Sequence, residues 1–352
     1  MPVRVTVTTV QSVGAVVLLS KVSASPLLFF AWMAATSALL SVVLRVSLWR
    51  IMPPSEEPAR FDPDVLRTVW RFATGNLVIG LTTALLTQSG GLIIAKYCAL
   101  EQLAAYTLAV SLAGQASAIL VQPVSTTLMP HFAHLTSQGD AARLAREYHR
   151  WSQIFASLIL PISGTLIVFG RPLLQVWLGS ESPLVDPISE LLPWIAIGTL
   201  LNTLMTPPYF LQIANGWTSL IATMNFIALA VILPTLGIAV PRYGPIAAVM
   251  CWIGINLAYY LIMVPCMHRR LLPSALWAWW GRDTLMPTVV VGIIYGGALA
   301  LTPSDMPRFF GLAASVVVAA LAWVALLVVF PQVRTDAFGV LNMVRLKLVR
   351  TG

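Results

Sequence analysis

Residues 309–330 read FFGLAASVVVAALAWVALLVVF, with Ser315 and the Trp323 indole as the only polar side chains and no charge. A helix needs about 20 mostly apolar residues to cross the hydrocarbon of a bilayer. No water reaches the backbone there, so only helices and closed barrels satisfy their N–H and C=O groups. Barrel strands are alternating segments of roughly ten residues. This run is twice that length and does not alternate, so it reads as a transmembrane helix.

The same pattern recurs outward from it. About ten such spans are expected, near 5–22, 27–48, 69–95, 103–129, 151–169, 188–213, 219–239, 246–267, 285–301 and 309–330. Composition agrees: of 352 residues, 58% are hydrophobic and only 10% charged, against about 25% charged in soluble domains. Mean hydropathy is +0.84. These values exclude a disordered chain and a soluble globular domain. They predict an all-α, polytopic integral membrane bundle. Its expected organisation is a partial N-terminal bundle of two helices (1–50), a cytoplasmic loop (51–68) and a six-helix bundle (69–268). A second cytoplasmic loop (269–284), an extra helix pair (285–330) and a basic cytoplasmic tail (331–352) follow.

The formal charge of +8 in a soluble protein would suggest nucleic acid. Here the bases follow topology instead. Arg45, Arg50, Arg60, Arg67 and Arg71 surround the second connection, and Arg143, Arg146 and Arg150 the fourth. Arg269, Arg270 and Arg282 lie in the eighth; Arg334, Arg345, Lys347 and Arg350 follow the last span and Arg4 precedes the first. The opposite side receives only Lys21, Lys96, Arg171, Arg242 and Arg308. By the positive-inside rule both termini are cytoplasmic, and no nucleic-acid partner is needed.

All 13 acids fall in predicted loops or at span ends, so no carboxylate for ion coupling is expected in mid-membrane. Asp140, after a Ser-Gln-Gly turn, is placed to cap a helix over 141–151. Cys98, Cys251 and Cys266 are scattered singly, which supports neither a zinc site nor a disulfide framework. His131 and His134 lie one helical turn apart without further ligands nearby in sequence, so no metal is expected. No phosphate loop, HExxH or GxSxG motif occurs, and neither catalytic residues nor a cofactor are expected.

Polar side chains nevertheless punctuate the spans. Asn76, Thr83, Thr87 and Gln88 mark the third, Gln115 and Gln122 the fourth, Asn202 the sixth, Asn225 the seventh and Asn256 the eighth. A buried amide is costly in hydrocarbon unless partnered. Helix-to-helix hydrogen bonding accounts for any single one; as a set they favour a polar cavity. Asn76 and Thr83 lie seven apart, as do Gln115 and Gln122, hence each pair on one helical face. Prolines such as Pro123 and Pro207 interrupt the spans. Such kinks suit either static packing or a transporter that rocks between two states.

The run TQSGGLIIAK (87–96) is followed by AYTLA (105–109), Gln122-Pro123, MPHF (129–132), Gly139-Asp140 and Tyr148. Then come Pro161, Leu173-Leu174, Trp177-Leu178-Gly179, Ala214-Asn215-Gly216 and YGPIAA (243–248). In order and spacing this set resembles Wzx-type polysaccharide flippases of the multidrug/oligosaccharidyl-lipid/polysaccharide exporter superfamily. Family members often carry an aspartate near Gly90, which this chain lacks. Aligned on these motifs, the first two spans correspond to the family's fifth and sixth helices. The third to eighth correspond to its second bundle, and the first four family helices are expected to be missing, as in a truncated copy.

The resemblance implies a bacterial inner-membrane flippase for lipid-linked saccharide, with membrane lipids around it and a glycan polymerase and glycosyltransferases as possible partners. Asn76, Gln88, Gln115, Gln122, Asn202, Asn225 and Asn256 are the candidates for binding sugar hydroxyls. Lys96 or Arg71 would meet phosphate. The rival readings are a multidrug or small-cation exporter of the same superfamily, which wants an intramembrane acid, a membrane-embedded glycosyltransferase, which wants acids in an outer loop, and a non-functional fragment.

Overall fold

The computed structural model describes residues 2–21, 25–51, 62–302 and 307–336. Every regular element among them is helical, and nine helices are long and apolar enough to cross a membrane. The protein is therefore an all-α polytopic membrane protein. The first expected span is shorter than the rest: its described apolar stretch is Thr9–Lys21.

The chain divides into two compact units, 1–66 and 67–352. The first contains α1 (Pro2–Lys21) and α2 (Pro26–Ile51). They pack where Gly14 leaves room for the Trp32 indole; an added Cβ would lie 2.3 Å from the ring. Trp32 donates its indole N–H to the Gln11 carbonyl at 2.9 Å, and Gln11 Nε2 returns a 3.3 Å bond to the Met33 carbonyl.

The second unit receives α3 (Pro63–Tyr97) and contains α4 (Leu100–Gln138), α5 (Ala141–Val168), α6 (Gly170–Leu178), α7 (Val185–Leu204), α8 (Thr206–Ala214), α9 (Thr218–Tyr243) and α10 (Pro245–Ala258). After α10 come α11 (Val264–Leu271), the short turn α12 (Leu276–Ala278), α13 (Met286–Leu301) and α14 (Arg308–Val329). The ends follow from local chemistry. Gly139 takes the left-handed φ of 71° and closes α4 through a bond from its N–H to the Thr136 carbonyl. Asp140 then caps α5 by accepting from the Arg143 N–H at 2.9 Å, as its position in the sequence predicts. Gly244, at φ 67°, turns α9 into α10, which opens on Pro245.

Two of the differences from the expected spans trace to proline. The sixth span is not continuous: it breaks at Met205 into α7 and α8. Pro207 and Pro208 have no N–H to continue a helix but fit a first turn. Short π-helical segments, Tyr259–Met263 and Trp279–Leu285, directly precede Pro265 and Pro287, where the i−4 hydrogen bond is lost. The stretch 269–284, expected as a loop, is helical from Leu276 onward and forms part of the span Leu276–Leu301. It buries Trp279, Asp283 and Thr284, which a short solvated loop would leave exposed.

Among the described residues, three large apolar clusters and one small one hold the second unit together. One joins α3, α4, α6, α7, α9 and α10 around Ile94, Ala109, Leu174, Ile188, Leu192 and Val249. A second gathers Phe132, Tyr148, Phe155, Met267 and Trp279 between α4, α5 and α11. The third seats α13 and α14 on α5 through Ala156, Ile159, Leu160, Val291, Tyr295, Ala322 and Leu326. Ile293, Leu299, Val316, Val324 and Val328 stay exposed on the outer faces of α13 and α14, as side chains solvated by lipid do.

Candidate functional site

At the middle of its span α3 presents Thr83, Leu86, Thr87 and Gly90 at helical spacing to the interior of the second unit. Opposite stand Tyr106, Gly114, Ser117, Val121 and Gln122 of α4, Ile195, Thr199 and Asn202 of α7, and Trp252 and Ile255 of α10. They enclose a cavity of about 390 Å³. A second cavity of about 280 Å³ adjoins it through shared walls at Thr87, Val121, Asn202, Thr206 and Trp252, and adds Tyr209, Asn225, Asn256 and Tyr259. Ile79, Ile213, Ile221 and Met263 form one apolar cluster, of which Ile221 and Met263 line this second cavity. Beyond it α3 and α9 close together: a Cβ on Gly75 would lie 2.7 Å from Thr218 Oγ1.

The wall is mostly apolar, with hydroxyls and amides set into it, and it carries no charge. No Asp, Glu, Lys, Arg or His lines either cavity among the described residues. Two of its amides are engaged in tying helices. Asn225 donates to Thr82 Oγ1 at 2.9 Å and Thr83 Oγ1 at 3.1 Å, and accepts from the Tyr259 hydroxyl at 2.7 Å, joining α3, α9 and the π-helical segment. Asn256 donates to the Trp252 carbonyl at 2.8 Å and accepts from Asn202 Nδ2 at 2.9 Å, joining α10 to α7. Ser117 and Thr203 hydroxyls pair at 2.6 Å between α4 and α7. Trp252 packs the five-membered ring of its indole against α7 at Gly198, where an added Cβ would meet it at 2.3 Å.

The structure thus brings Gln122, Asn202, Asn225 and Asn256 to these cavities, and leaves four other sequence candidates off them. Asn76, half-buried beside Gly75, lines neither cavity. Gln88 and Gln115 are exposed on faces of α3 and α4 turned from the lining. Lys96 is exposed at the end of α3, its ammonium 5.0 Å from the centroid of the Tyr97 ring. The Arg71 side chain lies outside the described residues. Sequence reasoning missed Tyr106, Thr199, Thr206, Tyr209, Trp252 and Tyr259. A tryptophan in the middle of a span, away from the interfacial belt where tryptophans gather, was a usable sign for Trp252.

It also missed a buried carboxylate. Asp283 has no exposed side-chain surface and accepts from Gln153 Nε2 at 2.8 Å and Arg282 Nε at 3.0 Å, while its other oxygen bonds His149 Nδ1. The expectation that every acid lies in a loop or at a span end is corrected here, because 269–284 is not a solvated loop. Nearby, Arg150 makes a two-pronged pair with Asp336 at 2.6 and 2.8 Å. Glu147 stands 3.3 Å from His131 Nε2, a neighbour the sequence did not show. No group of three side chains able to hold a metal occurs among the described residues.

A family model described as "Polysaccharide biosynthesis protein" matches residues 4–182. No curated protein and no solved structure matches the chain.

Proposed function

The chain belongs to the polysaccharide biosynthesis protein family, and from that premise we propose that it moves lipid-linked oligosaccharide across a bacterial inner membrane. The observation that carries this reading is the uncharged cavity at the middle of the spans, where amides, hydroxyls and aromatic rings stand among apolar side chains. A saccharide head exposes many hydroxyls, and each would cost several kcal/mol if stripped of hydrogen bonds in hydrocarbon. Amides and hydroxyls on the wall replace that water, while the polyprenyl tail stays in lipid. Opening the cavity first to one leaflet and then to the other carries the head across without exposing it to acyl chains.

The direction is from the cytoplasmic leaflet to the periplasmic one, with both chain termini on the cytoplasmic side, as the distribution of arginines and lysines supports. Lys96, outside the cavity, is available to phosphate near the end of α3. No coupling ion is assigned. A glycan polymerase would consume the delivered units and glycosyltransferases would supply them.

Deleting the gene tests the proposal. Lipid-linked repeat units should accumulate in the cytoplasmic leaflet and surface glycan should fall. Normal surface glycan in the deletion strain overturns the reading.

A further inference from the structure

We propose that this cavity is a subsite for an uncharged sugar ring, and that it turns away acidic sugars and the phosphates of the carrier. The inference rests on the transport reading and adds the class of sugar. Its ground is the chemistry of the wall. No Asp, Glu, Lys, Arg or His side chain lines the two adjoining cavities among the described residues. A carboxylate placed there would lose its hydration with no cation to replace it.

A neutral sugar meets the opposite situation. Thr199, Thr206, Tyr106 and Tyr209 line the space, and none of their hydroxyls makes a hydrogen bond among the described residues. Asn202 uses its Nδ2 on Asn256 and keeps its Oδ1 uncommitted there. Hydroxyl groups of a sugar need such mixed donors and acceptors. Trp252, held against Gly198, borders both cavities, and an indole is a suitable apolar partner for the C–H side of a sugar ring. The larger cavity, about 390 Å³, falls within the range of small-molecule sites, about 300–1,000 Å³.

Gly114 provides the means of testing it. It lines the larger cavity, and an added Cβ meets nothing within 4 Å. Leucine is also the better helix former, so Gly114→Leu fills the cavity without straining α4. Thr199→Val is the second variant: it keeps the shape and removes one open hydroxyl. Two probes share one short prenyl pyrophosphate and differ only in the sugar, glucose or glucuronate. Their binding to the purified full chain is measured by calorimetry.

Glucose lipid should bind at least about tenfold more tightly than glucuronate lipid, a difference of roughly 1.4 kcal/mol. Gly114→Leu should remove that preference, and Thr199→Val should weaken the glucose lipid several-fold, both at unchanged thermal stability. Equal binding of the two probes, binding of neither, or full selectivity in both variants overturns the subsite. Translocation in proteoliposomes is read separately. Selective binding without translocation overturns the transport reading and leaves the subsite standing; translocation with equal binding does the reverse.

Discussion

Asn225 and Asn202 are the same residue type in neighbouring parts of one wall, yet they do different work. Asn225 has both of its amide atoms committed to α3 and Tyr259, so it fastens helices. Asn202 spends one atom on Asn256 and keeps the other open. Asp283 is a fastening residue too. It sits on the span that begins at Leu276, and its partners His149 and Gln153 belong to α5. Three donors around one buried carboxylate make its removal expensive. Asp283→Ala should cost about 3–5 kcal/mol, the range for breaking a buried ionic contact. Asp283→Asn, which keeps one acceptor oxygen, should cost less. Thermal unfolding in detergent orders the two variants; equal loss would mean that the carboxylate's acceptor capacity is not what matters.

At the level of elements, proline sets where the helices break and glycine sets how closely they approach. The α7–α8 break and both π-helical segments sit beside Pro207-Pro208, Pro265 and Pro287. The docking of α13 on α5 depends on Gly164, over which Tyr295 lies. A Cβ there would stand 2.6 Å from the ring, and the Tyr295 hydroxyl donates to the Pro161 carbonyl at 2.7 Å. Gly164→Ala should destabilise by about 1–3 kcal/mol through overpacking. Tyr295→Phe removes only the hydroxyl and should cost about 1 kcal/mol. Unfolding curves of the two single variants test that order, and a more costly Tyr295→Phe would show that the hydrogen bond, not the close approach, holds the pair.

For the whole molecule, the arrangement of bases makes a prediction about topology. With the tail cytoplasmic, as proposed from the arginines and lysines, alkaline phosphatase fused after Gly352 should be inactive, whereas fusion near Glu181 should be active. Activity at Gly352 would reverse the assignment. The helical class, the membrane solvent and most spans were legible from hydropathy, because lipid forces long apolar runs that any window detects. Site residues were less legible. Gln115 and Gln122 share a sequence spacing, yet only Gln122 reaches the cavity. Asn76 matches the register of Thr83 but sits beside Gly75, where α3 meets Thr218, and lines neither cavity. Periodicity gives a residue's face; it does not say how far along that face two helices part.

The amino-acid sequence by itself determined the solvent of this protein, because apolar runs of span length cannot fold otherwise, and it determined the helix ends at Gly139, Asp140 and Gly244 through local backbone chemistry. Only the tertiary structure decided which amides fasten helices and which stay open. It also decided that Asp283 is buried and that the shared wall carries no charge. Those properties depend on side chains from helices far apart in the chain, and no local rule brings them together.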